Sequence, residues 1–452
     1  MNVHLPRPAL QETRLNFISK LYVWSVVFET LLFFILVSQD LSGVGGNLSR
    51  VLQFGVILAL LLKALLTPFK KIQILNPFSV YFRWYFIYFC FIIFSLIFGI
   101  FSDAYVGKTD NFSANVLRPG FEYFITLYYF VYFAVLPVFL LNSKKAIDYF
   151  FKIFFFMFFL SFFLGLVDLL LVLITGYEFI PRHLSDMTHV GNRFHGIAGE
   201  PRDAFVHLFM GLSLLFLREI WTGKSFNRLW VPIIIIAALL TQSTSGVIGL
   251  LIFLSLLIVF QIPRMRLQSI FLLSLFIILT SSAFGYMILN SPRIQIYLEA
   301  APLAFQALER GIDLPPVIEY QISNIYPIWV RWLEISEMNF LPFFIGTGLG
   351  TASIINSFVL SEGGILNPHA NIIRIFFESG IVGTLLFIIA FINPLSKVEK
   401  LLGSNLLVFF MLLMLGVTFG HRSSAIYTFF GLIIAIHFFL IRSRVEKSDA
   451  ES

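Results

Sequence analysis

The chain has 452 residues, of which 58% are hydrophobic and only 12% are charged. A soluble domain carries roughly a quarter charged residues, so this composition leaves too little polar surface to cover a globule. The formal net charge of +6 is no signal for nucleic acid against that background, and the single cysteine, Cys90, excludes an intrachain disulfide.

The N-terminal segment is polar and basic, and the first apolar run lacks a small-residue cleavage site, so it reads as a retained start helix. Stretches such as 149–174 and 401–419 are nearly free of charge. At about 20 residues and 1.5 Å each, they suffice to cross a bilayer core of about 30 Å. No alternating segments of about ten residues are visible, which excludes an outer-membrane barrel. The expected fold is therefore an all-α polytopic membrane protein forming one integral membrane domain over 1–452.

Helices are expected near 21–39, 51–68, 80–101, 121–141, 149–174, 204–221, 229–242, 244–263, 268–289, 370–392, 401–419 and 425–441, about twelve spans. Lys and Arg of short loops set the orientation. Arg7, Arg14, Lys20, Lys70, Lys71, Arg83, Lys144, Lys145, Lys224, Arg228, Arg264, Arg266, Lys397 and Lys400 all fall on one face, together with Arg442, Arg444 and Lys447 of the C-terminal tail. That face is expected to be cytoplasmic, with both termini on it. Two long loops then face outward, 175–203 and 290–369. Loops of that length are uncommon in compact proteins unless functional. Within the second, Ile325, Ile328, Trp329, Trp332 and Leu333 share one helical face, the pattern of an amphipathic helix at the membrane surface. The hydropathy pattern does not repeat between the halves, which disfavours a transporter.

The outward loops are rich in arginine, which has no topological role there. Arg182, Arg193 and Arg202 lie in the first, Arg293, Arg310 and Arg331 in the second; Arg374 sits just inside the next helix and Arg422 in the last outward turn. A guanidinium offers a planar fork of donors that matches phosphate, which makes Arg193, Arg202, Arg331, Arg374 and Arg422 candidate substrate-binding residues, while snorkelling to lipid head groups is the plainer alternative for Arg182, Arg293 and Arg310. Glu200 and Asp203 stand near a helix start in a Gly196-Ile-Ala-Gly-Glu-Pro201 turn, where capping explains them unless Glu200 serves as an acid/base group or acceptor-sugar ligand. His207, four residues after Asp203, reads as its local hydrogen-bond partner.

The Gly346-Thr-Gly-Leu-Gly350 element lacks the context of a dinucleotide site and reads as a place where backbone amides approach a ligand or a helix end. Arg374 and Glu378 are one turn apart in an apolar segment, and an ion pair is the simplest way to keep both there. His369 stands at the mouth of that helix, where an imidazole can exchange a proton near neutral pH. Asp168 is an intramembrane carboxylate with no partner visible in the sequence. His and Cys spacing does not suggest a metal site, and no nucleotide-binding signature is present.

Taken in order, the 196–201 turn, the Thr-Gln-Ser-Thr-Ser-Gly turn at 241–246, the long outward loop, Arg331 followed by 346–350, and Pro368-His369 leading into Glu378-Ser-Gly-Ile-Val-Gly383 resemble the O-antigen ligase/polymerase superfamily of bacterial membrane glycosyltransferases. The usual His-Asn pair of that family is here His369-Ala370, with Asn371 one step later. The resemblance implies a metal-independent, cofactor-free transferase of the bacterial inner membrane, acting on a glycan carried by undecaprenyl diphosphate. It implies that Arg331 and Arg193 or Arg202 bind the diphosphate, with His369 as base and inversion at the anomeric carbon. Lipid-linked donor and acceptor, membrane lipids, and a flippase and chain-length regulator of the same pathway are the implied partners, with no nucleic acid. The Gly-Glu-Pro element points to the polymerase branch; the ligase branch, a lipid-linked glycan transporter and a structural membrane subunit are the alternatives.

Overall fold

The structure is a computed structural model that describes residues 16–31, 48–66, 81–101, 117–177, 179–180, 193–198, 201–241, 282, 341–351, 371–402, 407–417 and 423–451. Among them it is helical, with no strand. The helices are α1 (Phe17–Leu31), α2 (Leu48–Leu66), α3 (Arg83–Phe101), α4 (Arg118–Tyr129, continuing through a π-helical stretch Phe130–Val135 into Leu136–Leu140), α5 (Lys144–Thr175), α6 (Pro201–Thr222), α7 (Trp230–Leu240), the short α8 (Leu341–Ile345), α9 (Asn371–Leu402), α10 (Leu407–Val417) and α11 (Ser424–Glu451).

Among the described residues, seven helices are long and apolar enough to cross a membrane: α2, α3, α4, α5, α6, α9 and α11. The chain is a polytopic membrane protein. The expected span at 244–263, all of that at 268–289 except residue 282, and the amphipathic segment at 325–333 lie outside the described residues.

Local chemistry explains where these helices start, bend and stop. Ser143 caps α5, its hydroxyl accepting the amide of Ala146 at 3.2 Å, and Gly176 ends the helix in the left-handed region at φ 73°. In α4 the π-helical stretch ends two residues before Pro137, which has no amide to donate to a regular ladder. A Cβ on Gly431 of α11 would collide with the Phe133 carbonyl of that stretch, so two backbones meet there directly.

Aromatic rings fill the interior. Tyr85 of α3 stacks on Phe130 of α4 with centroids 3.9 Å apart, and Phe391 of α9 packs edge-on to Phe430 of α11. α11 is the central helix, with 78% of its spanning window buried, whereas only 17% of α2 is covered. The bare Phe54, Leu58, Leu61 and Leu65 of α2 suit contact with acyl chains, which are as apolar as they are.

Candidate functional site

Three clusters bring buried carboxylates to partners. The first joins α5 to the two stems of the sequence stretch 181–192. Asp168 is almost wholly buried, and its Oδ1 accepts the amides of Phe179 and Ile180, each at 2.7 Å. Its Oδ2 lies 3.1 Å from Nε2 of buried His195. That approach is off the line of an N–H bond, so it is a close polar contact more than a directed hydrogen bond. Nδ1 of His195 sits 3.0 Å from the Gly196 carbonyl. Both ring nitrogens thus lie close to oxygen atoms.

Neighbouring residues seal a helix end. Phe194 donates its amide to the Leu240 carbonyl at 2.9 Å, and Arg193 Nε donates to the Thr241 carbonyl at 3.0 Å. These are carbonyls that the C-terminus of α7 leaves without helical partners. The left-handed Gly196 and the side chain of Phe194 press on Gly165 of α5, where any Cβ would clash. Beside them Phe158, Ser161, Phe194 and His207 help to line a cavity of about 10 Å³. That is room for one water molecule, far too little for a sugar.

The second cluster is a buried triad. Arg374 Nε donates to Glu378 Oε1 at 2.9 Å, the i, i+4 pair expected from the sequence, and Arg374 Nη2 lies 3.5 Å from Glu122 Oε2 on α4. All three residues are buried, and Glu378 Oε2 meets no hydrogen-bond donor among the described residues.

The triad adjoins a break in α9. Gly380 has φ 61° and ψ −171°, a conformation essentially restricted to glycine, and it divides the helix. An unbroken helix would direct the carbonyls of Phe377 and Glu378 to the amides of residues 381 and 382. Here the Phe377 carbonyl accepts the amide of Thr347 at 3.2 Å, and the Glu378 carbonyl accepts the amide of Gly348 at 2.8 Å and the hydroxyl of Ser95 at 2.9 Å. The 346–350 element is therefore built to meet a helix end. Its three glycines have positive φ, and a Cβ on Gly346 would strike the Glu378 backbone while one on Gly348 would strike Leu96 of α3.

The third cluster lies where α1, α2 and α4 meet. Buried Glu29 accepts Ser49 Oγ at 2.7 Å, Arg50 Nη2 at 2.9 Å, Tyr129 OH at 2.9 Å and Gln53 Nε2 at 3.3 Å. Four donors on one carboxylate satisfy it fully within an apolar bundle.

Of the residues singled out in the sequence, Arg193 and Arg374 fall in separate clusters, Arg193 capping α7 and Arg374 held between two carboxylates. Arg202 lies in the first turn of α6, and its side chain lies outside the described residues. So do Glu200, Arg331, His369 and Arg422. Glu29 and Glu122 escaped the sequence reading, although each is a lone carboxylate within a span expected at 21–39 or 121–141, which was the available signal. Among the described residues, no three His, Cys, Asp or Glu side chains gather as a metal-ligand set. No protein-family model matches the chain, and no curated protein matches it.

Proposed function

We propose that the chain polymerises oligosaccharide units linked to undecaprenyl diphosphate, working at the periplasmic face of the bacterial inner membrane. In this reading the protein crosses that membrane about twelve times with both termini cytoplasmic, as the short-loop Lys and Arg imply. The observation that carries the proposal is the docking of 346–350 into the break at Gly380. Two of the motifs behind the resemblance form one unit, and that unit ties together the flanks of the stretch 352–370, which contains His369. Asp168 does the same for the flanks of 181–192, just before Arg193.

The chemistry needs few groups. The acceptor hydroxyl oxygen attacks the anomeric carbon as its proton passes to His369, the bond from that carbon to the diphosphate oxygen breaks, and undecaprenyl diphosphate leaves. Arg331, Arg422 and Arg193 or Arg202 hold the leaving charge, and Glu200 serves the acceptor sugar. Arg374, bound to Glu122 and Glu378, is assigned to holding the helix break instead of the diphosphate.

The test is gel banding of surface polysaccharide in a deletion strain complemented with Arg331→Ala or His369→Ala. Loss of a polymerase leaves a single repeat on the lipid core in place of a ladder, and loss of a ligase leaves bare core. Full ladders from both variants at normal expression would refute the assignment. A broken helix beside buried charge also favours a transporter of lipid-linked glycan, since such breaks line transport sites. Against that reading, the carbonyls released at Gly380 are already taken by Ser95, Thr347 and Gly348 and are not left open to coordinate an ion.

A further inference from the structure

Lys152 and Arg218 stand at one level on neighbouring helices. Lys152 is the last charge before the uncharged run 153–167 of α5, and Arg218 is the first charge after the run 204–217 of α6. The Arg218 guanidinium lies 5.5 Å from the centroid of the Phe155 ring, which is i+3 from Lys152 and so on the same side of α5. Both cations are exposed, and neither has a carboxylate partner among the described residues. The nearby carboxylate among the described residues, Asp148, accepts the indole N–H of Trp221 with its Oδ1 at 2.8 Å. Glu219 is paired with Arg228 on the other side of α6.

The length of α5 fixes the level of the patch. Its 32 residues span about 48 Å at the helical rise, against a hydrocarbon core of about 30 Å, and the charges Lys144, Lys145, Asp148 and Lys152 at its start assign the excess to its first turns, in the head-group layer. Below Lys152, Phe156 and Phe163 are 62% and 53% exposed and continue the same stripe down α5. Two cations above an apolar track match an acidic head group above its acyl chain.

We propose that Lys152 and Arg218 form a binding site for the head group of an anionic phospholipid, its acyl chain lying along Phe156 and Phe163. The site is independent of the catalytic proposal. The probe is an equimolar mixture of phosphatidylglycerol and phosphatidylcholine added to the purified full-length protein in micelles, with retained lipid read by native mass spectrometry. The wild type retains phosphatidylglycerol preferentially, and Lys152→Gln with Arg218→Gln lowers that preference roughly thirty-fold, whereas Lys63→Gln on α2 leaves it unchanged. Each single Gln variant lowers it several-fold, and Lys152→Arg with Arg218→Lys retains it, which separates loss of the site from loss of the fold. Equal retention of both lipids by the wild type, or an undiminished preference in both single variants, overturns the proposal. Inorganic phosphate that displaces phosphatidylglycerol at millimolar concentration also overturns it, because the site would then serve a soluble phosphate.

Discussion

His195 and Asp168, 27 positions apart in sequence, face each other across 3.1 Å with both side chains almost fully buried. A buried carboxylate on a membrane helix demands compensation, and Asp168 obtains it from one imidazole and two backbone amides. It is a latch between α5 and two loop stems. Asp168→Ala should release the amides of Phe179 and Ile180 to fast hydrogen exchange and cost about 3–5 kcal/mol, the usual penalty for breaking a buried pair. Asp168→Asn should cost less, because an amide oxygen still accepts both N–H groups. Exchange and thermal unfolding of the purified protein would show this. Unchanged protection at 179 and 180 in the Ala variant would rule out the latch.

Arg374 holds two carboxylates, so removing it takes the cation from buried Glu378 and one contact from buried Glu122. Arg374→Met should therefore be among the most destabilising single changes in α9, at about 3–5 kcal/mol. Combining it with Glu122→Gln and Glu378→Gln should recover most of that loss, since no uncompensated ion then remains. Thermal unfolding in detergent of the single and triple variants tests the order. A triple variant no more stable than Arg374→Met would show that the triad's contribution is not electrostatic.

Legibility in the sequence followed the range of each interaction. The apolar runs marked the seven helices long and apolar enough to span because length and hydropathy are local, and α5 and α6 lie where 149–174 and 204–221 placed them, each starting a few residues earlier and ending one later. The Arg374–Glu378 pair was readable because i, i+4 neighbours meet on any helix. Glu122 was not, because its contact with Arg374 joins α4 to α9 and no periodicity encodes it. Asp168 showed as an anomaly without a partner for the same reason. The 346–350 element announced backbone approach through its glycines, and the structure supplied the object, the carbonyls released at Gly380. That release depends on one residue's dihedral angles, and a glycine in an apolar run does not reveal which conformation it takes.

Gly431→Ala tests the contact between α11 and the π-helical stretch of α4. The new methyl would meet the Phe133 carbonyl and Ala134 Cα, backbone atoms that cannot rotate away. The helices must then separate, at about 1–3 kcal/mol for an overpacked interior. Gly211→Ala makes the useful comparison, since its Cβ would meet the ring of buried Phe158, a side chain beside a small cavity and not a backbone. Gly431→Ala should lower the unfolding temperature more than Gly211→Ala.

Gly380→Ala should be more severe still, for two additive reasons. At φ 61° and ψ −171° an alanine is in a region essentially closed to residues with a Cβ, a strain of about 1–3 kcal/mol. That Cβ would also be driven into the Phe344 carbonyl at the base of the 341–351 segment, which has no room to retreat against α9. The chain can escape only by straightening α9, and a straight helix withdraws the Phe377 and Glu378 carbonyls from Thr347, Gly348 and Ser95. Ser95→Ala, which removes one of those hydrogen bonds and leaves the break intact, should cost only about 1 kcal/mol. Amide exchange at Thr347 and Gly348 distinguishes the two cases: protection lost in Gly380→Ala and kept in Ser95→Ala means that the glycine conformation holds the segment in place. Protection kept in both would mean that the segment stays docked without the break.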